Sequence, residues 1–123
     1  MISVLFVSSA YSFEPAKYFK MNCSSCHSIG EGDKIGPDLA GLSKRRKLDW
    51  IVKFVGYPEG MINGDEEEAG YEKPDALAKK IFEQYKPTVM TEFPDLDKNK
   101  IKALLTYIDS LKKKPTGKIL KVK

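Results

Sequence analysis

The chain is poor in the residues that most often carry reactive chemistry. It has two cysteines, one tryptophan and a single histidine in 123 residues. With no third cysteine and no second histidine, a structural zinc site lacks its fourth ligand. Strand signals are nearly absent apart from the KILKVK end, so a redox C-x-x-C pair has no thioredoxin-like βαβ setting. The one apolar run, residues 2–7, is too short to span a bilayer. The last twelve residues contain no acid and no aromatic side chain, which removes support for base stacking by that basic end. No repeat or interdomain linker is visible, and a chain of 13.9 kDa with 31% charged residues reads as one domain. No general base lies near a nucleophile, so no catalytic residues are assigned and the chain is not expected to be an enzyme.

What remains is concentrated. Both cysteines and the histidine fall in five consecutive residues, Cys23-Ser24-Ser25-Cys26-His27. This is C-x-x-C-H, the pattern of covalent c-type haem attachment. On that pattern each cysteine would carry a thioether bond to one haem vinyl group, and the His27 imidazole would be the proximal iron ligand. An iron-bound histidine needs an acceptor for its other ring nitrogen. Gly36-Pro37 supplies one: proline fixes the backbone and leaves a directed carbonyl.

Apolar periodicity predicts an all-α fold. Helices are expected over residues 13–22, 44–57, 75–86 and 97–113. The first has Pro15 in its first turn. The second carries Leu48, Ile51, Val52 and Val55 on one face and is bracketed by Asp49 and Pro58. The third is capped by Asp75, with Leu77, Ile81 and Tyr85 facing inward. The last is capped by Asp97 and lined by Ile101, Leu104, Leu105, Ile108 and Leu111. Residues 58–74, including the acidic run Asp65-Glu66-Glu67-Glu68, read as loop; that run lacks the alternating ligands of a calcium site.

Uncharged residues 1–12 resemble the apolar core and small-residue cleavage site of a secretory signal. Residues 13–113 form the domain, and residues 114–123 a basic tail expected to be solvated. Six lysines in residues 112–123 turn an otherwise slightly acidic chain into one of net charge +4.

Cys23-Ser24-Ser25-Cys26-His27 followed by Gly36-Pro37-Asp38-Leu39-Ala40-Gly41 resembles the class I, mitochondrial-type cytochrome c family, over about residues 14–113. The resemblance implies short helices around one covalent haem c and its iron, with the first and last helices crossing through Phe19, Leu104 and Tyr107. It implies that the Pro37 carbonyl accepts from His27. The family's axial methionine sits in a loop just before the last helix, and Met90 matches that place; Met61 is its competitor, and Met21 is too near Cys23 to cross the ring. Arg45 is favoured over Arg46 as a contact for a haem propionate. Trp50 either donates to a propionate or is a core aromatic.

The function implied is soluble one-electron transfer, from a cytochrome bc-type complex or dehydrogenase to an oxidase or reductase, with Lys34 and Lys86 steering encounters. No nucleic-acid partner is expected, and membrane contact is peripheral at most. Two alternatives stand beside it: a haem subunit of a stable complex such as a sulfur-compound-oxidising assembly, and a ligand-binding or peroxidase-like haem protein. Because c-type haem is attached outside the cytoplasm, a periplasmic or otherwise exported location is expected.

Overall fold

A computed structural model describes residues 12–123. The leader expected over residues 1–12 lies outside them, Ser12 apart. Six helices follow in order: α1 (Pro15–Asn22), α2 (Leu42–Arg45), α3 (Leu48–Gly56), α4 (Pro58–Asn63), α5 (Ala76–Tyr85) and α6 (Lys98–Ser110). A 3-10 turn, Lys118–Lys121, ends the chain, and no strand occurs among the described residues. The fold is all-α, as expected.

The first and last long helices hold the frame. Pro15 opens α1, where its missing N–H is not needed and its fixed φ suits the helix. The Asp97 carboxylate accepts from the Lys100 N–H and caps α6. From there Ile101, Leu104, Leu105 and Ile108 recur at helical spacing, and all are buried. Burying each such side chain is worth about 1.5–3 kcal/mol. This face receives α1: Phe19 is buried, and its ring lies 6.1 Å from that of Tyr107 at 51°. Because the cysteine segment follows α1 directly, the α1–α6 packing also fixes where that segment starts.

Elsewhere the structure differs from the periodicity reading. The helix expected over 44–57 is two helices, because Arg46 is extended (φ −135°, ψ 143°) and interrupts it. The apolar face resumes in α3 with Ile51 buried. Residues 58–63 are helical rather than loop. Pro58 starts α4 instead of merely stopping α3, and Tyr57 serves as the end cap of one and the start cap of the other. Met61 and Ile62 thereby join Ala78 of α5 in a second apolar cluster. In α5 the buried positions are Ala78 and Tyr85, while Leu77 is only half-buried. Helix α6 stops at Ser110, and Leu111 is left 40% exposed.

The C-terminal segment is not a solvated end. Ile119 and Val122 are 3% and 8% exposed, and the 3-10 turn packs on α5. The Arg46 Nη2 donates to the Val122 carbonyl at 3.1 Å, and the Lys118 N–H donates to the Asp33 carboxylate at 3.0 Å. Gly117 permits this approach: its φ is +103°, and a Cβ there would stand 2.6 Å from the Asp33 carboxylate. Lysines dominate the composition of this segment, but two apolar anchors decide where it lies.

Candidate cofactor site

The cysteine segment continues α1 as a tight turn. The Cys23 N–H donates to Phe19 O at 2.9 Å, then Cys26 and His27 both donate to Cys23 O at 3.1 and 2.9 Å. One turn of backbone therefore brings Cys23, Cys26 and His27 to a common wall. Both thiols are free and half-buried. Burial, reinforced by Cys26, pushes the Cys23 thiol up to about 11, so it stays protonated at neutral pH.

His27 is held at its far side. Its Nδ1 lies 2.8 Å from the Pro37 carbonyl oxygen. A carbonyl only accepts, so Nδ1 carries the proton and Nε2 keeps the lone pair a metal requires. Burial lowers the histidine's affinity for a second proton and nearby Lys34 adds to this, while the Pro37 bond opposes it. The net direction is downward, toward a neutral ring at pH 7. Gly36 makes room for that ring: a Cβ there would stand 2.6 Å from His27 Cε1. The Gly36 N–H, in turn, is tied to Cys26 O at 2.7 Å.

All of these groups face a cavity of about 270 Å³. Phe19, Leu104 and Ile108 of the terminal helices line it, with Ile51, Phe82 and the C-terminal Ile119. Met90 reaches it from the segment between α5 and α6. Met61 does not: it is 3% exposed in the second cluster and is not among the lining residues. Among the described residues no three His, Cys, Asp or Glu side chains converge as a metal cage.

The polar exceptions in the lining are informative. Arg45 donates through Nη2 to Asp38 O at 2.8 Å and through Nη1 to Ala40 O. Arg46 donates to Arg45 O at 2.9 Å and to Val122 O. In both residues Nε is buried and without a partner. Two half-buried cations in the lining of an otherwise apolar cavity suit an anionic edge on whatever fills it. Burial lowers the proton affinity of both guanidinium groups, and at Arg45 the neighbouring Arg46 charge lowers it further. The donor set therefore fits a haem: two thiols, an oriented imidazole, a thioether, apolar walls and cations for carboxylates.

The Trp50 indole N–H donates to Asp75 Oδ2 at 2.9 Å, which favours the core-aromatic alternative. The ring stacks on Phe54 at 5.2 Å and lines the cavity as an apolar wall. Of the two steering lysines, Lys34 is exposed and donates to Ser24 O. Lys86 is exposed but paired with Glu83 at 2.9 Å. Sequence reasoning missed two contributors. Asp38 appeared only as a letter in the Gly-Pro motif, although it is fully buried. Ile119 was hidden among lysines; its signal was the spacing to Val122, one turn apart.

The family model for cytochrome c matches residues 14–112. A cytochrome c of Cochliobolus lunatus is 52% identical over 33 residues, which is 25% of this chain and 31% of that protein. The match thus spans under a third of that curated relative. The solved cytochrome c domain of a Pseudomonas putida protein superposes with a TM-score of 0.58 at 29% identity, covering 79% of this chain and 86% of that one. A cytochrome c from Rhodothermus marinus gives 0.60 at 26% identity, covering 79% and 72%.

Proposed function

The chain belongs to the cytochrome c family, whose members bind haem c covalently and serve as electron carriers, and on that premise we propose that Cys23 and Cys26 tether the haem while His27 and Met90 are its two axial iron ligands. The observation that carries this reading is the convergence of both cysteines, His27 and Met90 on one apolar cavity. The bound haem supplies one iron that alternates between Fe(II) and Fe(III).

The chain's own residues do the rest. The Pro37 carbonyl holds the His27 ring in one tautomer and one orientation. The Met90 thioether, neutral and soft, favours the reduced metal and raises the potential. Phe19, Ile51, Phe82 and Leu104 exclude water, which keeps reorganisation on electron transfer small. Arg45 and Arg46, both in the cavity lining, supply positive charge for the propionates. Were His27 and Met90 both to hold the iron, no site would be left open for substrate chemistry.

The protein carries single electrons from a cytochrome bc-type complex or dehydrogenase to an oxidase or reductase, outside the cytoplasm, where c-type haem is attached. Exposed lysines such as Lys34 steer these encounters, so the rate falls as salt rises.

The test is a pyridine haemochrome assay with a redox titration of the purified protein. One haem per chain, a reversible one-electron wave and no carbon monoxide binding by the reduced protein at neutral pH are expected. Carbon monoxide binding would point instead to an open iron and a ligand-binding protein.

A further inference from the structure

Asp38 is 0% exposed, a carboxylate buried outside the group of residues that face the cavity. Its carboxylate accepts four backbone N–H groups. Oδ1 takes Gly30 at 2.7 Å and Ala40 at 2.9 Å; Oδ2 takes Gly32 at 3.0 Å and Thr116 at 3.2 Å. The Asp38 carbonyl is held as well, by Arg45 Nη2 at 2.8 Å. A charge buried this deeply is costly unless its acceptors are filled, and here they are. Three of the donors are local. The fourth lies 78 residues further on, past the end of the stretch that matches the cytochrome c family.

The position of Asp38 matters because of the peptide it shares. The Pro37 carbonyl that receives the His27 Nδ1–H belongs to the peptide group joining Pro37 to Asp38. Proline fixes that group from one side. The clamped carboxylate and the Arg45 bond fix it from the other.

Resting on His27 as an iron ligand, we propose that Asp38 is a positioning residue for that histidine, and that the C-terminal segment, through Thr116, is part of the histidine's support. A firm His27–Pro37 bond strengthens the imidazole as a donor and favours Fe(III), and the Asp38 charge acts in the same direction. Loss of the clamp therefore raises the midpoint potential and frees the ring.

The test uses the ferrous haem-loaded protein and two readouts, solvent exchange of the His27 Nδ1–H by NMR and the midpoint potential. Asp38→Asn keeps the shape but turns an amide toward donors that need an acceptor. Exchange is expected to quicken about tenfold or more, as for a lost charge-assisted hydrogen bond, with a higher potential. Thr116→Pro removes the Thr116 N–H that Asp38 accepts while keeping Asp38 and the rest of the C-terminal segment. It is expected to show a smaller acceleration of the same exchange, and it decides the matter if Asp38→Asn does not fold. A shifted potential with wild-type exchange in both variants would mean that Asp38 acts by charge alone and would overturn the proposal. A lower melting temperature with neither readout moved would overturn it too. The wild-type spectrum separates the two levels: without a low-spin haem the ligand assignment fails first, and with one only the positioning role is at stake.

Discussion

The Cβ position of Gly36 lies 2.6 Å from Cε1 of His27. No side chain fits there unless the ring or the loop moves. The ring is held by Pro37 and the loop by the Gly36 N–H bond to Cys26 O, so neither moves freely. Gly36→Ala should therefore destabilise the haem-loaded protein by about 1–3 kcal/mol, as overpacking does. Thermal unfolding with a Soret readout measures it. A loss within about 0.5 kcal/mol, as at unconstrained surface sites, would show that the loop yields.

A second tie lies at the other end of the chain. The Tyr85 hydroxyl donates to Asp33 Oδ1 at 2.6 Å, while Asp33 Oδ2 receives Lys118 N–H. One carboxylate thus joins α5 to the C-terminal turn. Tyr85→Phe should cost about 1 kcal/mol. Burial, then the bond to Asp33, pushes the phenol well above its ordinary 10.0. That stabilisation is complete below the ordinary value and disappears as pH rises through the higher folded one. Denaturation of the two proteins should accordingly converge at strongly alkaline pH. A gap that stays constant there would contradict the assignment.

These ties show what was legible in advance. Helix α6 was readable because its stripe repeats over about two turns and Asp97 marks its start. The cysteine segment was readable because its spacing is set by covalent chemistry rather than by packing. The break at Arg46 was not readable, since a single extended residue leaves the apolar period of α3 intact. Helix α4 was missed because proline both ends one helix and opens the next, and Pro58 does the latter. The tie from Asp38 to Thr116 was missed because the two lie 78 residues apart, where local spacing carries no information.

Asp38 also predicts an acid response. Burial alone would raise its value, but the backbone donors Gly30, Ala40, Gly32 and Thr116 outweigh this and hold it below the ordinary 3.8. Arg45 is the cation that faces it. Its stabilisation is present above the unfolded value and is lost as pH falls through the lower folded one. Wild type should be the more stable at neutral pH, and the difference from Asp38→Asn should shrink in strong acid. Urea unfolding across the acid range measures this; an advantage that grows toward low pH would refute it.

Trp50→Phe separates a wall residue from a propionate contact. Its N–H is engaged by Asp75. The substitution should cost about 1 kcal/mol in thermal unfolding and leave the midpoint potential unchanged. A shifted potential at unchanged stability would restore the propionate role.

The central claim is that Met90, and not Met61, closes the iron. Met90 lines the cavity, whereas Met61 is packed with Ile62 and Ala78 and is not among the lining residues. The direct measurement is the weak near-infrared band that arises when a thioether sulfur binds ferric haem iron. Met90→Ala should abolish it. Met61→Ala should keep it, while losing about 2–5 kcal/mol of stability as a buried large-to-small change. A band that survives in Met90→Ala and vanishes in Met61→Ala would contradict the account.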